Sequence, residues 1–314
     1  MSAAAAFGGA LVAAFALGRP LIAFLRSISA KQTAYEDAPT SHQLKTGTPT
    51  MGGVLFLLGP LAASIAAPSA TTLALALLTI ACAAIGFADD YMGIRIGRNR
   101  GMRARTKLLF TAVAAAGFVW LILTMQPSVQ PAIFGLGDVP KAVFVLLSVC
   151  AIVATTHAVN LTDGLDGLAG GTVVPPLAVV AYVAFARGQG DAAVFELAMT
   201  GSVLAFLAYN LHPAKVFMGD TGSLALGAAL AGGAIVTGMQ LVLILIGGVF
   251  AAEALSVILQ VASFKMTKRR IFRMSPLHHH FELGGLPETK VTARFWIASA
   301  LCSLAGAALV TVRP

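Results

Sequence analysis

The chain has 314 residues, 58% of them hydrophobic and 11% charged, with a formal net charge of +8 and a mean hydropathy of +0.86. A soluble protein of this size needs roughly a quarter of its residues charged, so the composition excludes a soluble globular fold and requires an integral membrane protein. The basic runs lack interleaved aromatics, which argues against a nucleic-acid partner.

Ten apolar stretches, most near the roughly 20 residues a membrane helix needs, run over 3–24, 51–67, 71–88, 107–125, 141–159, 172–186, 192–210, 221–237, 239–263 and 292–311. The sixth and eighth are short and Gly-rich. No Lys or Arg precedes Arg19, so the first reads as a retained helix rather than a secretory signal. The expected fold is all-α, a polytopic bundle of about ten transmembrane helices forming one domain over 1–314. Ten spans put alternate loops on opposite sides, and 18 of the 21 Lys and Arg then share one side, leaving Lys141, Arg187 and Arg313 on the other. The positive-inside rule makes the basic side cytoplasmic and puts both termini outside. Cys82, Cys150 and Cys302 fall within spans without metal-ligand spacing and read as small core residues.

Five aspartates, Asp89, Asp90, Asp163, Asp166 and Asp220, lie in polar gaps on that same basic side. Carboxylates gathered at a membrane surface suit a divalent cation with a phosphate-bearing ligand. The first cytoplasmic loop ends Ser41-His42-Gln43-Leu44-Lys45-Thr46-Gly47-Thr48-Pro49-Thr50-Met51-Gly52-Gly53. Amides at the helix start after it, together with Lys45, could hold an anion; the plainer reading is a helix capped by Thr50. Asp89-Asp90 ends the third span, where acids oppose the helix dipole. Their side chains diverge by about 100° on a helix, which suggests two tasks. Lys107 opens the next span.

Asn160 to Ala169 is the only cytoplasmic loop without Lys or Arg. Asp163 and Asp166 share a face if the segment is helical. A Ca²⁺ loop fits poorly, since further oxygen ligands and a closing Glu are missing; an Asx-rich turn is the other reading. In Phe217 to Ser223, Asp220 suits a metal ligand or an N-cap, and Phe217 offers a flat face for a nucleobase. Glu253 stands alone as an acid near the middle of a span, where it needs a function or a hidden partner, unless it is simply protonated and hydrogen-bonded. His278-His279-His280-Phe281-Glu282 lies in the last cytoplasmic loop. Three consecutive histidines do not converge easily on Zn²⁺; they suit donation to phosphate oxygens or proton shuttling, or else they are solvated loop residues.

With these residues laid out, the chain resembles the bacterial phospho-N-acetylmuramoyl-pentapeptide transferases, a branch of the polyprenyl-phosphate hexosamine-phosphate transferases. The resemblance covers nearly the whole chain: Ser41-His42 through Lys45, Gly47 to Gly53, Asp89-Asp90-Tyr91, Asn160 to Ala169, Phe217 to Ser223, and His278 to Glu282. It implies Mg²⁺-dependent transfer of phospho-MurNAc-pentapeptide from its UDP carrier to undecaprenyl phosphate, giving lipid I and UMP at the cytoplasmic face of the inner membrane. It is compatible with a homodimer. By the same resemblance Asp220 is the Mg²⁺ ligand and Phe217 the uracil-stacking ring. Asn160, Asp163 and Asp166 form a nucleoside-side loop, Lys45 and Thr50 are nucleotide-binding positions, and Gln260, in the cytoplasmic half of the ninth span, is a further binding position. Asp89 is the base or nucleophile with Asp90 beside it, Lys107 a phosphate partner, and His278 and His279 line the site.

The chain departs from the family pattern at Tyr35, at Ala38-Pro39, and at Gly93 and Gly97, where lysines are common; Arg95 and Arg98 lie close by. Two polyanionic substrates need a cation and basic groups to offset charge during in-line transfer. Asp89 either deprotonates the lipid phosphate for direct attack, the favoured reading, or forms a phospho-enzyme. Competing readings are a sister transferase moving GlcNAc-1-phosphate and a transporter; the latter would keep its charges near midplane.

Overall fold

The computed structural model describes residues 3–28, 47–96, 101–125 and 132–312. Tyr35, Ala38, Pro39, Ser41, His42, Lys45, Gly97 and Arg98 therefore lie outside the described residues. In chain order the elements are α1 (Ala3–Ile28), a 3-10 turn (Gly52–Leu57) running into α2 (Leu58–Ala66), α3 (Ala70–Ile96) and α4 (Ala104–Met125). A two-stranded antiparallel hairpin follows, β1 (Ala132–Ile133) with β2 (Gly137–Asp138), pairing Ala132 with Asp138. Then come α5 (Lys141–Thr162), α6 (Leu168–Ala186), α7 (Gly190–Asn210), α8 (Gly219–Val236), α9 (Leu243–Ile246), α10 (Gly248–Thr267), α11 (Leu277–Glu282) and α12 (Glu288–Val312).

Among the described residues, nine of these helices are long and apolar enough to cross a membrane. The tenth expected span, Gly52–Ala66, is shorter. Its 3-10 part rises about 2.0 Å per residue against 1.5 Å in α-helix, so the segment reaches about 25 Å. That approaches the hydrocarbon thickness of about 30 Å. Two other boundaries differ from expectation. Helix α3 runs on to Ile96, so Asp89 and Asp90 lie inside it rather than at its end, and the dipole argument does not apply to them. The stretch 239–263 breaks at Gly247 into α9 and α10.

Helix α8 forms the centre, packed against α3, α5 and the 3-10 turn. Every residue from Thr221 to Ile235 is buried. Glycine permits this closeness: a Cβ on Gly222 would sit 2.7 Å from the Gly53 Cα, and one on Gly227 2.5 Å from the Thr156 Cα. In a bilayer such contact replaces the hydrophobic drive that holds soluble helices together. Helix α1 lays Ala6, Ala10, Ala14 and Gly18 against the bundle, and Tyr209 of α7 donates its hydroxyl to Phe15 O at 2.6 Å. Glu253 is not the only acid deep in a span. Glu196 of α7 is fully buried as well, with its carboxyl against Gly233.

The charge asymmetry sets an expected labelling result. Leu136 in the hairpin and Ile271 after α10 are both exposed. With ten crossings, Leu136→Cys reacts with a membrane-impermeant thiol reagent from outside, and Ile271→Cys reacts only after permeabilisation. Labelling of both from one side overturns that topology.

Candidate active site

The ends of α3, α4, α5 and α8 meet at one end of the bundle and bring three charged side chains together. The Lys107 ammonium bonds the Asp220 carboxylate and stands 3.1 Å from Asp89 Oδ2. The Asp89 and Asp220 carboxyl groups both face that ammonium. Asn160 Nδ2 donates to Asp220 Oδ1 and to Ser223 Oγ, each at 2.8 Å. The Met102 N–H closes over Asp89 Oδ1. Two carboxylates thus share one ammonium.

Asp90 points elsewhere, as the helical divergence requires. Its Oδ1 accepts the Asp220 N–H at 3.0 Å, and its Oδ2 accepts the Thr221 N–H at 2.9 Å and the Thr221 hydroxyl at 2.7 Å. A helix start leaves its first N–H groups without partners, and here α3 supplies the cap of α8. Met218, at the N-cap position, makes no side-chain cap bond. Asp220 is therefore not the cap; its carboxylate is left for Lys107 and Asn160. Asp90 thus fixes the backbone that carries Asp220.

Thr50 is not a cap either. Met51, with φ 72°, occupies that position of the 3-10 turn and makes no side-chain cap bond. Thr50 is buried beside Gly219, where a Cβ would sit 2.8 Å from Thr50 Oγ1 and 2.6 Å from Asp90 Oδ2. With φ +72° as well, position 219 admits only glycine comfortably. The segments 49–53 and 217–218 pair through their backbones, Phe217 N–H to Pro49 O at 2.8 Å and Gly52 N–H to Phe217 O at 2.9 Å. Phe217 is thereby held half-buried, three residues before Asp220 in the chain.

The two loop aspartates separate. Helix α5 ends at Thr162 and Asp163 is non-helical, so the shared face expected of Asp163 and Asp166 does not form. Asp163 joins the group just described. Burial, then the charges of Asp220, Asp90 and Asp166, push its carboxyl up to about 8, against the opposing N–H of Gly219. Asp166 turns away: its Oδ2 accepts the Ala214 N–H at 3.0 Å and lies 3.1 Å from His212 Nδ1, and its N–H donates to Glu288 Oε1 at 2.6 Å. Ligand atoms of Asp166, His212 and Glu288 fall within 4.8 Å of one another. Neither His212 nor Glu288 carries a spacing signal, so the sequence did not mark them.

The three histidines part company too. His278 Nδ1 lies 3.1 Å from Glu253 Oε1, His279 Nδ1 lies 2.8 Å from Glu282 Oε2, and His280 Nδ1 accepts the Arg273 N–H at 3.1 Å. Gln260 accepts the Ile271 and Phe272 N–H groups at 2.9 and 3.0 Å and donates to Phe272 O at 3.0 Å. Its amide clamps the loop after α10.

Residues 72–238 match the model of glycosyl transferase family 4, and residues 45–57 match phospho-N-acetylmuramoyl-pentapeptide-transferase signature 1. The chain is 47% identical over 310 residues to the phospho-N-acetylmuramoyl-pentapeptide-transferase of Moorella thermoacetica, covering 96% of this chain and 97% of that protein. The same-named protein of Geobacillus thermodenitrificans is 45% identical, covering 91% and 90%, and that of Bacillus subtilis 43%, covering 91% of each. The chain belongs to this family. Its phospho-N-acetylmuramoyl-pentapeptide-transferase signature spans Thr50 and the Gly52–Gly53 turn, the segment whose backbone is paired with Phe217 and Met218. The family model spans Asp89, Asp90, Lys107, Asn160, Asp163 and Asp220, the residues that converge at the ends of α3, α4, α5 and α8.

Proposed function

We propose that this chain is a Mg²⁺-dependent transferase. It moves phospho-MurNAc-pentapeptide from UDP-MurNAc-pentapeptide to undecaprenyl phosphate, giving lipid I and UMP at the cytoplasmic face of the bacterial inner membrane. The observation that carries the reading is the Asp89–Lys107–Asp220 group, set at the ends of membrane-spanning helices in a chain of this family. A soluble nucleotide sugar and a membrane-borne phosphate can meet there.

The donors suit Mg²⁺, a hard cation that takes carboxylate oxygens and retains waters. Asp220 would hold it with Asp89 adjoining, and the acids crowded around Asp163 make a place that favours positive charge. When bound, the ion would offset phosphate charge and orient the diphosphate. The protein's own groups do the rest. Lys107 keeps Asp89 and Asp220 together and offers its ammonium to a phosphoryl oxygen. Asp89 takes the proton of the lipid phosphate, which then attacks directly. Phe217 stacks on the uracil. Thr50, Asn160, Asp163 and His279 line the nucleotide-sugar side, Lys45 is a nucleotide-binding position by the family pattern, Asp166 acts there by holding the Ala214 backbone, and Gln260 by holding the 271–272 backbone.

The test is turnover by the purified protein with undecaprenyl phosphate as acceptor. UMP release is expected with UDP-MurNAc-pentapeptide and not with UDP-GlcNAc. Chelation by EDTA abolishes it, and excess Mg²⁺ restores it. Comparable rates with both nucleotide sugars move the reading to the sister transferases, and rates indifferent to EDTA remove the metal.

A further inference from the structure

Glu253 and His278 are 0% and 1% exposed, and their contacts are of an unusual kind. Glu253 Oε2 accepts the Leu277 N–H at 2.7 Å, while Oε1 accepts the His278 N–H at 3.2 Å and lies 3.1 Å from His278 Nδ1. Both carboxyl oxygens thus already act as acceptors from α11. A neutral imidazole carries one N–H and one lone pair, and the partner of one nitrogen decides the character of the other. Facing an acceptor, Nδ1 takes the proton, which leaves the lone pair on Nε2. That Nε2 is buried without a hydrogen-bond partner. It lies against Gly164, where a Cβ would come within 2.2 Å of it. Gly164 follows Asp163, whose carboxyl reaches Gly219 beside Asp220.

We propose that Glu253 is a positioning residue that fixes His278 as the Nδ1–H tautomer, so that the ring presents a lone-pair acceptor, and no N–H donor, to the nucleotide-sugar side of the site. This rests on the transferase reading and deepens it. The His278 ring then does not bind phosphate oxygens, which need a donor, as the sequence alone had suggested. Its partner is an N–H or O–H of the sugar nucleotide, entering beside Gly164. Burial holds the ring below the usual imidazole range despite the pull of Glu253, in keeping with a neutral ring. An acceptor buried without a partner is costly, and a ligand donor at Nε2 removes that cost.

The test uses the full-length protein in lipid nanodiscs with ¹⁵N-labelled histidine. In the wild type the His278 signals are expected to show a protonated Nδ1 and a lone-pair Nε2. Glu253→Gln places an amide N–H₂ either against a backbone N–H or against Nδ1, so the tautomer ratio shifts. KM for UDP-MurNAc-pentapeptide is expected to rise about tenfold, the size of one hydrogen bond, with KM for undecaprenyl phosphate unmoved. Gly164→Ala reaches the same ring from the other side and covers the case in which Glu253→Gln folds poorly. It raises the same KM, and the double variant adds less than the sum because both act through one ring. A wild-type Nε2–H tautomer overturns the proposal. So does a loss of melting temperature in Glu253→Gln with both KM values unchanged. If the wild type does not turn over UDP-MurNAc-pentapeptide at all, the transferase reading fails, while the ¹⁵N spectrum still decides the tautomer.

Discussion

Asp220→Asn is expected to lower UMP release by at least about three orders of magnitude, roughly 4 kcal/mol of transition-state stabilisation. The substitution is nearly isosteric. It can keep the Asn160 contact through an amide oxygen, and the Asp220 N–H remains capped by Asp90, so the start of α8 holds. What disappears is the negative charge that faces Lys107 and would face Mg²⁺. Rates measured at saturating substrates across a Mg²⁺ titration, beside a melting curve in detergent, check this. A near-normal rate with unchanged Mg²⁺ response would reduce Asp220 to a structural partner of Lys107.

Asp89→Asn and Asp90→Asn are expected to fail differently, because their carboxylates serve different helices. Asp89 faces Lys107 and Asp220. If Asp89 is the proposed base, its loss lowers turnover by about three to four orders of magnitude, while UDP-MurNAc-pentapeptide still binds. Asp90 holds three donors at the start of α8. An asparagine there keeps one acceptor oxygen and sets an N–H₂ against donors, so stability falls by about 1–2 kcal/mol and the rate falls through displacement of Asp220. A parallel loss of both rates with weakened Mg²⁺ response in each variant would mean that the pair shares one metal load. A second measurement separates the two routes open to Asp89. Incubated with labelled UDP-MurNAc-pentapeptide and no lipid acceptor, the wild type is expected to release no UMP and retain no label. A stoichiometric burst of UMP with label on Asp89 establishes the covalent route instead.

Much of this was legible in the sequence. Long apolar runs are a one-dimensional signal, so seven of the nine spans were found to within about four residues, while 71–88 stopped eight residues short of Ile96 and 239–263 began nine residues before Gly248. The errors fell where local rules compete. Helix α3 continues past Asp89 to Ile96, with Tyr91, Met92 and Ile94 extending its apolar run, whatever the charge at 89 and 90 suggests. Helix α5 stops at Thr162, which a spacing rule for Asp163 and Asp166 had no means to see. Caps were misread for a plainer reason. Thr50 and Asp220 are good local candidates, yet the cap of α8 comes from Asp90, 130 residues away in sequence. Partners of that kind, like His212 for Asp166 and His278 for Glu253, exist only after the chain has folded.

Helix α8 raises a question of biogenesis. It is the least apolar of the nine spanning helices, and its whole run from Thr221 to Ile235 is covered by protein rather than lipid. Its free energy of residence in the bilayer therefore comes from its neighbours more than from partitioning into hydrocarbon. Because α3 and α5 are synthesised before it, the walls that receive α8 are already in the membrane when it leaves the ribosome. The carboxylate at its tip is the last of the three partners Asp89, Lys107 and Asp220 to arrive, so this charged group is completed by an act of packing, late in the growth of the chain.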